Sequence, residues 1–360
     1  MASELKVNTI TEATAGSGIT FAKDIIPATP LSHRNMMING AMLVDQRKAG
    51  VLATNIGATD NDYRTLDRWR NIWTGGESAR NSLQQVAITD LAGFSKALKI
   101  DCVTAEGGTQ DADESFKMAY RFEGQDLQGM EKGFSSAKPV TVSFWVKGTA
   151  SKTYMLELHQ AKSTARHATQ QFSVTASWVK HTYTFPGDTT NTINCDNAEG
   201  LELNLWLFAG SNYTSGSYTS KTWANVTTAN RAVGISDSGK GLMNTTSDEV
   251  YFTGFQMELG SVATPFEHRS YGDEIIRCMR YCEVMTGTNV HGGLYNSSDH
   301  LGSWWFKVRK RARPTTTVST GNQAAILNAS SGDAGGTDSC YFTKTSGGMY
   351  IQNAKADCEL

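Results

Sequence analysis

A chain of 360 residues is long enough for two or three domains, and its 33 basic and 35 acidic residues leave a net charge of −2. That balance excludes the basic footprint of a nucleic-acid binder or of a protein drawn to an anionic membrane. Only 19% of residues are charged and 34 are glycine, a turn-rich composition that suits strands better than helices.

Residues 1–30 hold two short runs, ELKVNTITEA and ITFAKDI, joined by the Gly-rich AGSG and closed by Pro27 and Pro30. Two short strands cannot bury a core alone. This segment is expected to pair with a partner chain or with another copy of itself. MASELKVNTI has no apolar stretch of the signal-peptide kind, and no run approaches the roughly 20 apolar residues of a membrane helix. The expectation is a protein made in a reducing cytoplasm, with no membrane insertion.

Residues 36–268 read as a string of strands. KPVTVSFWVKG sets Val140, Val142, Phe144 and Val146 against Thr141, Ser143, Trp145 and Lys147. TYMLELHQ sets Tyr154, Leu156 and Leu158 against Met155, Glu157 and His159. LELNLWLF sets four leucines, Leu201 to Leu207, against Glu202, Asn204, Trp206 and Phe208. YFTGFQMEL is expected to turn Tyr251, Phe255, Met257 and Leu259 inward, with Phe252, Gln256 and Glu258 outward. LKIDCVTA, FKMAYRFEG, QQFSVTAS and WVKHTYTFP are further strand candidates. A period of two over so many short segments predicts antiparallel sheets with one buried face each, and eight or more such strands fit a two-sheet jelly roll.

RSYGDEIIRCMRYCEVM (269–285) is the one convincing helix. Ser270 and Asp273 give a capping-box-like start, and Ile275, Met279, Cys282 and Met285 supply an apolar stripe. It is expected to connect to a small β domain over 286–360, where WWFKVRKRARPTTTVST and GMYIQ read as strands around the loop NASSGDAGGTDS. About 75 residues without disulfides are marginal alone, so oligomerisation is expected to stabilise this part. The six cysteines are too sparse for a disulfide framework and are expected as buried thiols.

Several stretches carry a resemblance. NMMINGAMLVDQRKAG (35–50), TLDRWR (65–70) and VSFWVKG (142–148) resemble the opening and middle of a carbohydrate-binding-module-like jelly roll found in bacteriophage tail fibres. FQMELGSVATPFEHRSYGDEIIRCMRYCE (255–283) resembles its closing strand and connector. FKVRKRARPTTTVST resembles the strand opening the short β domain that follows, and LKVNTI…GSGITFAKDI the leader of structural proteins from marine and freshwater phages. The resemblance implies a mainly β virion appendage, commonly a homotrimer, that engages host cell-surface polysaccharide. Residues 1–30 would join it to other phage virion proteins on the tail or capsid surface. A head fibre, decoration or neck protein of the same fold, with no receptor role, is the alternative.

Candidate sites follow from the outward phase of the strands. Sugar rings present apolar faces and hydroxyl edges, so they are matched by flat aromatics beside planar polar groups. Trp145, Trp206, Glu157, His159, Asn204, Gln256 and Glu258 supply that mix, with Tyr213, Tyr218 and Trp223 from the loop SNYTSGSYTSKTW. An outward Trp forgoes roughly 1.5–3 kcal/mol of burial, so a ligand, a loop or a neighbouring subunit should cover it. GATDNDYRTLD offers Asp60, Asp62 and Asp67 as oxygen ligands for a structural calcium ion, or only a turn. No other cofactor is expected. No hydrolase, zinc, P-loop or dinucleotide motif is present, and no acid pair stands out for glycan cleavage, so a non-enzyme is expected. The basic run KVRKRARP (307–314) reads as solvated or subunit-facing charge.

Overall fold

The structure is a computed structural model that describes residues 32–57, 60–75, 78–108, 110–161, 164–287, 290–294, 299–321, 325–327, 336–345 and 349–360. The attachment segment expected over 1–30 and most of the loop at 328–339 lie outside the described residues.

In chain order the first unit has strands β1 (Ala53–Gly57), β2 (Asn61–Asp62), β3 (Trp69–Thr74), β4 (Arg80–Ala87), β5 (Lys96–Thr104), β6 (Ser115–Glu123) and β7 (Val140–Gly148). It continues with β8 (Lys152–Gln160), β9 (Arg166–Val174), β10 (Val179–Phe185), β11 (Glu199–Ala209), the one-turn helix α1 (Ser211–Thr214), β12 (Ala224–Asn225) and β13 (Glu249–Leu259). They form two antiparallel sheets. Sheet A has the order β1-β4-β5-β13-β7-β10, and sheet B the order β12-β9-β8-β11-β6-β3-β2. This is the antiparallel jelly-roll β-sandwich that the alternating pattern predicts.

The inward phases close one core between the sheets. Trp69 of sheet B packs on Phe255 of sheet A at 4.6 Å, and Phe255 stacks on Phe144 at 4.9 Å. The four leucines of β11 are fully buried, each worth about 2 kcal/mol of apolar burial. One phase differs from expectation. A β-bulge between Thr253 and Gln256, where Gly254 takes φ +65°, breaks the alternation of β13. Phe252 therefore joins Phe255 and Met257 in the core, and Tyr251 faces outward. Phe208 is likewise in the core, past a register shift at Trp206–Phe208.

The helix is shorter than the sequence suggests. α2 (Tyr271–Met279) is capped by Ser270, whose Oγ accepts from the Asp273 amide at 3.1 Å. Cys282 and Met285 belong instead to strand β14 (Cys282–Met285), paired with the last strand. The remaining strands are β15 (Val290–Leu294), β16 (Asp299–Trp305), β17 (Thr315–Gly321), β18 (Ala325–Leu327), β19 (Ser339–Thr345) and β20 (Met349–Asp357). WWFKVRKRARPTTTVST is thus two strands separated by a turn-rich stretch, because Trp304 ends β16 within one residue and Thr315 begins β17. A small core of Met285, Trp304, Phe342, Met349 and Ile351 fills this unit.

Buried and half-buried arginines fasten it to the sandwich. Arg68 is 1% exposed, binds Glu359 and lies 3.4 Å from the ring centroid of Tyr281. Arg47 bridges Asp67 at 2.8 Å and Glu359 at 3.2 Å, while Arg280 grips Glu123 at 2.7 Å. The cysteines are free; Cys195 is exposed, and the other five are buried as expected.

Candidate functional site

The outer face of sheet B gathers most of the predicted residues. On β11, Glu202, Asn204 and Trp206 point away from the core. Register places His159, Glu157 and Met155 of β8 on one side, and Arg121, Ala119 and Lys117 of β6 on the other. Glu157 is the hub. It is fully buried and accepts from Trp206 Nε1 at 2.8 Å, Asn204 Nδ2 at 3.1 Å, and Arg231 Nε and Nη2 at 2.8 Å each, with His167 Nδ1 at 3.0 Å. Burial alone would raise its pKa; Arg231 and His167 outweigh burial and hold the carboxyl well below its ordinary range. Glu202 follows the same pattern. It accepts from Lys117 at 3.2 Å, Arg121 at 2.9 Å and Asn204 at 3.0 Å, and these cations override burial and lower its pKa.

Chemistry follows from that electrostatics. Glycoside hydrolysis needs one carboxyl kept protonated as an acid. Glu157 and Glu202 are both held ionised, so neither can fill that role. The arrangement is suited to fixing the direction of polar side chains.

Trp206 is covered by the chain itself. It is 1% exposed, and the loop over 210–241 packs Tyr213, Tyr218, Ala232 and Ile235 around it and Met155. Lys117 and Arg231 each lie 5.0 Å from its ring. Of the three covers the sequence allowed, the loop is the one observed. Trp223, at the sheet edge, is half-buried; it donates to the Pro186 carbonyl at 2.9 Å, with Lys132 over its ring.

Part of the face stays open. Arg121 and Glu199 have side chains 21% exposed, joined at 3.0 Å, and His159 is 12% exposed. Asn204 Oδ1 and His159 Nδ1 are buried atoms without a hydrogen-bond partner. His159 Nδ1 stands 3.7 Å from Glu202, too far for a bond. A cavity of about 370 Å³, lined by Gln160, Thr192, Ile193, Asn194, Asp196, Glu199 and Gly200, adjoins this row at Glu199. The open row thus lies between the loop before β11 and the loop after it.

Trp145, Gln256 and Glu258 lie on the opposite outer face, on sheet A. Gln256 and Glu258 are buried because residues 261–267 fold back over them. Glu258 accepts from Thr264 N at 2.9 Å and Thr264 Oγ1 at 2.7 Å, and Gln256 Oε1 accepts from the Glu267 amide at 2.8 Å. The polar groups expected to face a ligand here are hydrogen-bonded to the chain's own Thr264 and Glu267. Trp145 is half-buried, against the Gly254 bulge and near Phe94.

The three aspartates do not meet. Asp60 and Asp62 both pair with Arg64, Asp62 at 2.6 Å, while fully buried Asp67 pairs with Arg47. Among the described residues no group of three or more His, Cys, Asp or Glu is placed to hold a metal.

Sequence reasoning missed Lys117, Arg121, Glu199 and Arg231. Lys117 and Arg121 were legible, since they fall on the outward phase of FKMAYRFE. Arg231 carried no signal, because its role depends on how a long loop folds back.

No protein-family model and no curated sequence matches the chain. Among solved structures it is similar to a CBM4 structure, at 12% identity and TM-score 0.30, over 61% of this chain and 97% of that one. A family 11 carbohydrate-binding module of a Clostridium thermocellum cellulosomal cellulase gives 13% identity and TM-score 0.29, over 61% and 99%. The enzymatically active domain of bacteriophage CBA120 tailspike protein 4 gives 8% and 0.29, over 53% of this chain and 19% of that one.

Proposed function

We propose that this protein binds a saccharide on the open part of the outer face of sheet B, without cleaving it. The observation that supports this is the row Arg121–Glu199–His159 above Asn204. Its planar polar groups are held in direction by part-buried ion pairs, and it adjoins a cavity of about 370 Å³. Sugar hydroxyls both donate and accept, so such a row matches them with little reorganisation on binding.

The biological setting we propose is a bacteriophage virion: a trimeric tail fibre or receptor-binding appendage that contacts host surface polysaccharide and joins the particle through residues 1–30. Its support is the sequence resemblance of the 35–50, 142–148 and 255–283 stretches. Many copies of a weak site would gain avidity on a cell surface. Two experiments test the reading. Full-length protein on a glycan array should retain defined saccharides, and an Arg121→Ala/Glu199→Gln variant should lose them while staying folded; retention by the variant rejects the site. Antibody labelling of intact particles should mark the tail. Labelling confined to the capsid favours a head fibre or decoration protein.

A further inference from the structure

A second concavity runs along the junction of the sandwich and the C-terminal unit. Two cavities of about 660 and 550 Å³ share Asp62, Tyr63, Thr317 and Lys355 as walls, so they adjoin. Clefts between packed units are favoured ligand sites. The charge lining the smaller cavity is unevenly matched. Its acids are all engaged: Asp62 by Arg64 at 2.6 Å, Asp357 by Arg47 and Lys355 at 3.2 Å each, and Glu359 by Arg47 at 3.2 Å and by Arg68. Its arginines are not. Among the described residues Arg311 donates from its side chain only to the main-chain oxygens of Cys358, Asn197 and Glu359. Arg313 is exposed and has no hydrogen bond or ion pair to any described residue. Arg70 reaches the main-chain oxygens of Leu360 and Asn61 at 3.4 Å each, and its buried Nε has no partner.

A half-buried guanidinium without a counter-ion is costly, and burial followed by the nearby charge of Arg121 lowers the pKa of Arg70. Even with a Leu360 carboxylate counted against Arg70, Arg311 and Arg313 remain unmatched. We propose that this cleft is a binding site for an oxyanion, the carboxylate or phosphate of an acidic ligand, with Arg313, Arg311 and Arg70 as its donors. Guanidinium forks suit both groups, because their paired N–H donors match two oxygens at once. The cleft shares no lining residue with the open row on sheet B, and the proposal stands whether or not that row binds saccharide.

Titration calorimetry of the full chain at low salt, with inorganic phosphate and separately with glucuronate as probes, tests it. Saturable binding of either probe is expected, weakened roughly fivefold or more in Arg313→Gln and by added salt. Lys180→Gln, which removes the same charge from the exposed edge strand β10 of sheet A, should leave it unchanged. Arg313 is exposed, so its variant should melt with the parent. Binding of phosphate alone identifies a phosphate ligand, and binding of glucuronate identifies a carboxylate one. No binding of either, or binding that Arg313→Gln does not weaken, overturns the proposal.

Discussion

The two outer faces of the sandwich began with the same kind of sequence and ended differently. On sheet A, Gln256 and Glu258 are sealed by neutral and charge-assisted hydrogen bonds to residues 264–267 of the same chain. On sheet B, Glu157 and Glu202 are sealed by cations from neighbouring strands and one long loop, and Arg121, Glu199 and His159 are left half-open. An outward polar residue on a strand is therefore a ligand candidate only where the chain does not return to satisfy it. Face A uses its polar groups to fasten residues 261–267; face B uses some to fasten a loop and leaves others partly exposed.

The largest expected effect breaks the fastening on face B. Arg231→Ala leaves the Glu157 carboxylate buried beside only His167, Asn204 and Trp206, and should cost about 3–5 kcal/mol in chemical denaturation. Glu258→Ala on face A removes an acceptor for Thr264 and should cost about 1–3 kcal/mol, with saccharide binding unchanged. A fall in binding with that variant would mean that the faces are coupled.

Acid separates the faces further. The folded-state pKa values of Glu157 and Glu202 lie below their unfolded values. Their stabilisation is therefore complete above roughly pH 4–5, the unfolded carboxylate range, and is lost only as pH falls below it toward the folded values. Melting curves should show no loss from these groups between pH 8 and pH 5, then a steep loss that Glu157→Gln blunts. The smallest effect is expected at the short strand β2. Asp62→Asn disturbs a half-exposed pair with Arg64 and should cost at most about 1 kcal/mol, with no stabilisation by added calcium in either form.

Much of the sandwich was legible because period-two alternation is a local property. VSFWVKG, TYMLELHQ and LELNLWLF declare both faces within eight residues. The Tyr251 and Phe252 reversal was not, because a bulge at Gly254 changes phase without changing the apolar count. The helix end was misjudged for a similar reason: Cys282 and Met285 fit a helical stripe and a buried strand equally well, and pairing with β20 decides between them. At the candidate site, Asn204, Glu157 and His159 were readable from phase. Their coverage by loop 210–241, and the latch by Arg231, depend on contacts 74 residues apart in sequence, which no local pattern encodes.

The central claim is that face B, and not face A, meets saccharide. The most direct measurement places full-length wild type, Arg121→Ala/Glu199→Gln and Trp145→Ala on one glycan array. The account predicts that the sheet B variant loses the saccharides that wild type retains and that Trp145→Ala keeps them. Loss with Trp145→Ala alongside retention by the sheet B variant would contradict it.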